Sequence, residues 1–234
     1  MKRGWLALFI GVALLALAWP AALEAQTGGK VLRMAIPTDP LMNPIIGTDA
    51  AAVPVNRFLY GFLTRPDPDT LEPAPDLATK WEVSSDGLTW TFHLRRDVKW
   101  QDGQPFTADD VKFTYDTILD RKNNSPRRSA IADITAVTMV DRYTIRFTLS
   151  KPIAPFPSIG AYNVGIVPRH LLEGKDVARA GDFNTRQPLG TGPYRISEAA
   201  AGDHYTFVPN QHYFRGKPKL DRVIFKVLPD INTV

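Results

Sequence analysis

The sequence predicts a mixed α/β protein. Several segments alternate apolar and polar residues with a period of two, as strands with one buried face do, and others repeat apolar residues every three or four positions, as amphipathic helices do. The chain of 234 residues is 44% hydrophobic and 22% charged, a balance typical of a globular protein with a buried core. It contains no cysteine, which excludes disulfides, thiolate metal sites and cysteine nucleophiles.

The first 25 residues have the pattern of a secretory signal peptide. Two basic residues precede an apolar run at 5–19, and small residues follow it up to Ala25. We expect export to the periplasm with cleavage after Ala25 or Ala22. The alternative is a membrane anchor, but a spanning helix needs about 20 apolar residues, and Pro20 interrupts a shorter run. Without a cysteine for lipid attachment, we expect a freely diffusing protein.

The next part of the chain predicts a strand, a helix and a loop. Residues 31–36 are mainly apolar and stop where Pro37 removes a backbone donor, which indicates a short strand. A helix is then predicted from apolar residues at helical spacing, namely Val55, Phe58, Leu59 and Phe62. Residues 66–76 are rich in proline and acidic residues, which predicts an irregular surface connection.

The segment 86–120 predicts a turn, a strand, a second turn and a capped helix. Asp86-Gly87 and Asp102-Gly103 are turn dipeptides. Between them, one strand face is apolar: Leu88, Trp90, Phe92 and Leu94. Thr107 is predicted to cap the helix with Asp110 as its capping-box partner. The helix is expected to bury one stripe: Val111, Thr114, Tyr115, Ile118 and Leu119.

Further strands are predicted in the remainder of the chain. Two lie on either side of a turn at Asp141-Arg142, and the second has an apolar face: Tyr143, Ile145, Phe147 and Leu149. A buried strand end at 164–167 is expected to lead into a short helix. Strands are also predicted at 194–197, 205–209 and 222–228.

The sequence shows no catalytic set, metal set or cofactor motif. The four histidines are scattered: His93, His170, His204 and His212. Ser129 and Ser158 lack the context of an activated nucleophile. Asp109 and Asp110 are neighbours, but neighbours on a helix diverge by about 100 degrees and cannot form an acid/base pair. The segment GTGPYR at 190–195 lacks a third glycine, and its proline prevents a phosphate-binding helix, so we expect a tight turn into a strand.

Two aromatic residues are candidates for ligand contact. Alternation places Trp90 and Phe92 in the core, whereas Trp81 and Trp100 are expected to be more open. The formal net charge of +4 is too small and too evenly spread to indicate nucleic-acid binding.

Five segments of the chain carry more information than a secondary-structure pattern. They are LYGFLTRPDPDTLEPAPDLATKWEVSSDGLTWTFHLRRDVKWQDGQPFTADDVKFTYDTILD, VTMVDRYTIRFTLSKPIAPF, GIVPRHLL, GTGPYRI and NQHYFRGKPKLDRVIFKVLPD. Through them the chain closely resembles the family 5 extracellular solute-binding proteins of ABC importers, the group that binds dipeptides, oligopeptides or nickel. These segments occur in order and with the spacing of the family. They cover essentially residues 31–230.

The resemblance implies a two-lobed periplasmic binding protein of the type II fold, of which this chain is the first lobe with its extra subdomain. It implies that 30–59 and 169–234 form the main sheet of the first lobe and that 60–168 form the extra subdomain. Members run to on the order of 500 residues, well beyond a typical single domain. We therefore expect the chain to be an N-terminal portion whose second lobe is missing.

The resemblance also implies where the ligand binds. Three places are expected to face it: the loop after the first strand, the segment after the capped helix and the segment before GIVP. Their residues are Pro37, Thr38, Asp39, Arg127, Arg128, Tyr162 and Asn163. Relatives that bind nickel have an aromatic residue near the second place, where this chain has arginine, which disfavours a nickel chelate.

The function implied is capture of a peptide or similar small solute in the periplasm and its delivery to an ABC permease in the inner membrane. We expect a monomer that uses no cofactor and binds no nucleic acid. A periplasmic hydrolase and a sensor or chaperone on the same scaffold remain alternatives.

Overall fold

The computed structural model describes residues 29–229, so the predicted signal peptide lies outside the described residues. Strands are Val31–Ile36 (β1), Thr64–Pro66 (β2), Pro73–Pro75 (β3), Ala78–Val83 (β4), Thr89–Leu94 (β5), Ile134–Asp141 (β6), Thr144–Leu149 (β7), Tyr194–Ala200 (β8), His204–Pro209 (β9) and Arg222–Val227 (β10). Helices are Ala52–Leu59 (α1), Ala108–Leu119 (α2), Arg169–Leu172 (α3) and Asp182–Thr185 (α4). Within residues 29–229, no helix has the length and apolarity needed to cross a membrane.

The main sheet brings together both ends of the described chain in the order β1-β10-β9-β8. β1 runs parallel to β10, and the other neighbours are antiparallel. The predicted bounds of β1 are confirmed, while β8 extends three residues beyond the prediction. β1 lies at one edge of this sheet, so its outer backbone groups have no strand partner among the described residues.

The second sheet has the order β4-β5-β7-β6 and carries an aromatic core. The predicted alternation is confirmed, because Trp90, Phe92 and Leu94 are buried along β5. On β7, Phe147 packs against Phe92 at 5.6 Å and against Tyr115 of α2 at 4.7 Å between ring centroids. This sheet and α2 therefore share one core. The predicted domain boundaries at residues 60 and 168 stay predictions.

The start of α2 confirms the capping box predicted from the sequence. The side chain of Asp110 accepts the backbone N–H of Thr107 at 3.0 Å, and the Thr107 side chain accepts the N–H of Asp110 in return. The predicted stripe is buried except for Leu119, which is only partly buried. The local pattern was sufficient here because every partner lies within one or two helical turns.

Three local predictions were wrong in detail. Residues 66–76 are not irregular throughout, because Pro73–Pro75 pairs antiparallel with Thr64–Pro66. Prolines are tolerated in a two-stranded ladder this short, since their missing donors can face away from the partner. Helix α1 ends at Leu59, so Phe62 lies beyond it. Residues 164–167 are all buried, as predicted, but form no strand.

The GTGPYR segment forms the expected tight turn into β8, and its glycines allow a close backbone approach. The N–H of Gly192 donates to the carbonyl oxygen of Leu59 at 2.9 Å. A Cβ at Gly190 would lie 1.9 Å from that same oxygen. Glycine is therefore required because the turn packs on the end of α1.

His204 gives the β8–β9 hairpin a pH-dependent contact. Its Nδ1 lies 2.7 Å from Asp203 Oδ2, its Nε2 lies 3.3 Å from Glu198 Oε2, and Asp203 also binds Lys226. The hydrogen bonds to Asp203 and Glu198 raise the pKa of His204 above its ordinary value. Stability from this contact is therefore fully present below the unfolded pKa of about 6.5 and is lost as the pH rises through the higher folded pKa.

We expect His204→Asn to lower the melting temperature more at a pH of about 5.5 than at a pH of about 9, because only the protonated ring gains from the two carboxylates. Differential scanning fluorimetry at the two pH values measures this, with His212→Asn as an exposed-histidine control. An equal loss at both pH values would contradict the prediction.

Candidate ligand-binding site

The loop after β1 is fixed to the β8–β9 hairpin through Asp39. The Oδ1 atom of Asp39 accepts the N–H of Gly202 at 2.8 Å and the hydroxyl of Tyr205 at 2.9 Å. Burial and the carboxylate of Asp39 raise the pKa of Tyr205. A cavity of about 250 Å³ opens beside this contact, and Arg186 also lines it. Pro37 and Thr38 are exposed.

Buried polar groups hold the rest of this loop. Asn43 is fully buried and donates to Asn184 Oδ1 at 3.0 Å, while its own Oδ1 accepts the N–H of Ile45 at 3.0 Å. The hydroxyl of Tyr60 donates to the carbonyl of Met42 at 2.7 Å. Since buried polar groups are costly when unpaired, these contacts specify one conformation of the loop.

Arg127 connects that loop to the segment before residues 165–168. Its Nε donates to the carbonyl of Pro44, its Nη2 to that of Gly47 at 3.1 Å, and its Nη1 to that of Asn163 at 2.8 Å. The structure therefore brings together two of the predicted site residues, Arg127 and Asn163. Three of the five N–H groups of the Arg127 guanidinium are used in this way.

Arg128 lies apart from this contact. Its Nε donates to the carbonyl of Leu119 at 3.2 Å. It lines a separate open cavity of about 430 Å³ together with Arg121, Asn124 and Ser129. The two neighbouring arginines, which the sequence could not distinguish, thus have different surroundings.

Tyr162 lies beside an arginine that sequence reasoning missed. The guanidinium carbon of Arg57, on α1, is 3.8 Å from the ring centroid of Tyr162 and 4.4 Å from that of Phe62. The Nη1 of Arg57 donates to the carbonyl of Tyr162 at 3.0 Å. Tyr162 follows a π-helical turn at Pro157–Ala161, a distortion that occurs often at functional sites.

The electrostatics of this region are positive. Burial lowers the pKa of Arg57, and burial together with the nearby charge of Arg57 lowers the pKa of Arg127. In the described part of the chain, the hydrogen bonds of both guanidinium groups go to backbone carbonyls and none goes to a carboxylate. The arrangement can therefore accept an anionic group from outside these residues.

The other candidate residues have structural partners. Trp100 was expected to be more exposed, but it is fully buried. Its ring packs on Phe106, and its Nε1 donates to the Asp110 carboxylate at 3.3 Å, which satisfies the indole N–H in the core. Trp81 is partly buried against Phe92. The Asp109 carboxylate pairs with the Arg169 guanidinium, whereas that of Asp110 accepts the backbone N–H of Thr107, so each has its own structural partner. Across residues 29–229, no group of three or more metal-ligating side chains is found.

Comparison with known proteins places the chain in a family. Residues 72–234 match the model of bacterial extracellular solute-binding proteins, family 5 Middle. The oligopeptide-binding protein AppA of Bacillus subtilis is 31% identical over 214 residues, which are 91% of this chain and 39% of that protein. The chain thus spans about two fifths of the length of this relative.

Solved structures show the same likeness. The structure of AppA in complex with a nonapeptide superimposes with a TM-score of 0.82 at 31% identity, and the match covers 88% of this chain and 41% of that one. NikZ of Campylobacter jejuni in complex with Ni(L-His) gives a TM-score of 0.78 at 33% identity, with coverage of 88% and 40%. The predicted type II periplasmic binding fold is confirmed. The chain belongs to the family 5 bacterial extracellular solute-binding proteins.

Proposed function

We propose that this chain is part of the substrate-binding component of an ABC transporter, which captures a peptide or similar small solute in the periplasm and delivers it to an inner-membrane permease. The observation that carries the proposal is the family match over most of the chain, together with its similarity to a protein solved with a bound nonapeptide. The proposal includes export by the signal peptide, a monomeric state, and neither a cofactor nor nucleic acid as partner.

The position of β1 supports a mechanism for binding an extended ligand. β1 is an edge strand, and residues 37–39 continue directly from its end. An extended peptide can pair with the free backbone groups of an edge as an added strand, which gives affinity without dependence on side-chain sequence. Pro37, Thr38 and Asp39 would contact the backbone of the solute in this mechanism.

Arg127 and Asn163 would line the site on the other side of the loop, and Tyr162 would contribute an aromatic contact. Arg128 lines a separate cavity, so its contribution would be a second, independent contact. Closure of two lobes around the solute would shift the population towards the form that the permease recognises, because only the closed form makes contacts from both lobes.

The function proposed is binding without chemistry. A periplasmic hydrolase would need a nucleophile or metal set. Two of the histidines form separate pairs with acidic residues, His170 with Asp102 and His204 with Asp203, and residues 29–229 contain no cluster of three or more metal-ligating side chains. A sensor or chaperone on the same scaffold would bind the same solute but would not need a permease.

The test is binding and turnover by the full-length protein, including any residues beyond Val234. We expect at least one component of a mixed di- to pentapeptide pool to raise the melting temperature. A ligand that binds only the folded protein raises its free energy of unfolding by about 2.7 kcal/mol when present at about 100 times its Kd. Mass spectrometry of the same mixture should recover the peptides intact. Cleaved peptides would favour the hydrolase, and the absence of any shift together with no co-purified solute would contradict the proposal.

A further inference from the structure

Arg57 is one of four half-buried arginines, with Arg65, Arg127 and Arg128, that form no ion pair with a carboxylate within residues 29–229. Arg215 lies 3.1 Å from Asp76, and Arg95 lies 2.6 Å from Asp97, so each of those charges is neutralised by a carboxylate. The hydrogen bonds of Arg57 and Arg127, within residues 29–229, go to backbone carbonyls alone. Partly buried charge without a counter-charge is costly, and here two such charges bind the carbonyls of adjacent residues, Tyr162 and Asn163.

The two guanidinium groups act on one another electrostatically. The charge of Arg57 lowers the pKa of Arg127, which means that the two positive charges repel each other across a partly desolvated space. The repulsion arises because the two groups bind adjacent residues. Arg57 donates to the carbonyl of Tyr162, and Arg127 donates to that of Asn163. A single anion at this place would relieve the repulsion and interact with both charges.

The remaining guanidinium donors are of the kind that binds a carboxylate. A guanidinium has five N–H groups in one plane; Arg57 uses one for the Tyr162 carbonyl and Arg127 uses three. Four donors therefore remain on Arg57 and two on Arg127. The rings of Phe62 and Tyr162 lie 4.4 and 3.8 Å from the Arg57 guanidinium carbon and restrict its motion. A planar fork held in this way is suited to bidentate recognition of a carboxylate.

We propose that Arg57 and Arg127 form a subsite for a carboxylate group of the bound solute, and that Arg57 determines the preference for anionic over neutral solutes. The inference rests on the proposed solute-binding function, because it assigns part of the specificity of that site. Arg57 carries most of the free donors, whereas Arg127 also holds the loop at Pro44 and Gly47. Substitution of Arg57 therefore tests specificity with the least effect on the loop.

The experiment measures peptide binding to the full-length protein by isothermal titration calorimetry. Two matched probe pairs are used: trialanine with its C-terminal amide, and Ala-Glu-Ala amide with Ala-Gln-Ala amide. In each pair the first peptide carries a carboxylate that the second lacks. In at least one pair, the wild-type protein should bind the peptide with the carboxylate on the order of 10-fold to 100-fold more tightly than its neutral partner, because charge-assisted hydrogen bonds are strong. In Arg57→Gln, the acid should lose this advantage while the affinity for the neutral peptide stays within about twofold.

Two further variants keep the result interpretable. Arg57→Lys retains the positive charge between the rings but lacks the planar fork, so an intermediate preference is expected. Arg146→Gln removes one exposed charge from β7 and should leave both affinities unchanged. If Arg57→Gln does not fold, as judged by circular dichroism, Arg57→Lys carries the test.

The outcomes separate this inference from the proposed function. Equal binding of acid and neutral peptides by wild type, or a preference that survives in both Arg57 variants, would overturn the carboxylate subsite while leaving solute binding intact. If none of the four peptides binds, native mass spectrometry identifies the solute that co-purifies with the protein. A solute that carries an anionic group and is no longer retained by Arg57→Gln supports the inference. A neutral solute overturns it. No binding and no co-purified solute would overturn both proposals.

Discussion

Replacing Asp110 with alanine should lower the free energy of unfolding by about 3–4 kcal/mol, because one buried carboxylate satisfies three donors. Asp110 accepts the N–H of Thr107 at 3.0 Å, the backbone N–H of Arg169 at 3.0 Å and the indole N–H of Trp100 at 3.3 Å. Alanine would leave these donors unpaired in a region where Trp100 is fully buried. Urea unfolding of the full-length protein measures the loss.

The expected loss is smaller than the sum of three hydrogen bonds to a charged group. Burial raises the pKa of Asp110, which shows that desolvation of the carboxylate offsets part of what its donors contribute. The matched control is Asp109→Ala, because Asp109 is the adjacent residue, and its ion pair with Arg169 is 3.3 Å long and about two-fifths exposed. That variant should lose less than about 1 kcal/mol. Similar losses in both variants would contradict the role assigned to Asp110.

The same residue shows which features the sequence could predict. The contact of Asp110 with Thr107 lies within one helical turn, so the spacing of the two residues was sufficient to predict it. The alternation that buries Trp90 and Phe92 is likewise local. The other two donors to Asp110 are 10 and 59 residues away in sequence. Neither spacing nor composition indicates such contacts, and for this reason Trp100 was wrongly expected to be open.

The candidate site shows the same division between local and distant contacts. The apolar spacing of α1 left Arg57 with no predicted role, and its contact with Tyr162 joins residues 105 positions apart. Asp76 is predicted to lie in an irregular surface loop, yet the residue is only 8% exposed. Its carboxylate accepts a hydrogen bond from Arg215, which is 139 positions away in sequence. The resemblance to a family supplied the places expected to face ligand, but it could not show that Arg127 and Arg128 have different surroundings.

Replacing Phe147 with alanine should produce the largest loss from the hydrophobic core, about 3–5 kcal/mol, as expected when a large buried side chain leaves a cavity. Phe147 is fully buried on β7. Its ring lies 4.7 Å from that of Tyr115, 5.5 Å from that of Phe156 and 5.6 Å from that of Phe92, measured between centroids. These partners come from α2, from the segment before the π-helical turn and from β5, so no single element can move to fill the space.

The consequence should extend from stability to the candidate site. Phe156 directly precedes the π-helical turn that leads to Tyr162, and the hydroxyl of Tyr115 donates to the carbonyl of Gly160 in that turn at 2.7 Å. Loss of the Phe147 ring should therefore loosen residues 157–163, detected as faster amide hydrogen exchange there than in β1 and β10. Phe113→Ala, a substitution at a partly buried position of α2, should cost about 1 kcal/mol and leave exchange in that turn unchanged. Uniform acceleration of exchange across both sheets would indicate global destabilisation instead and would contradict the link between the aromatic core and the site.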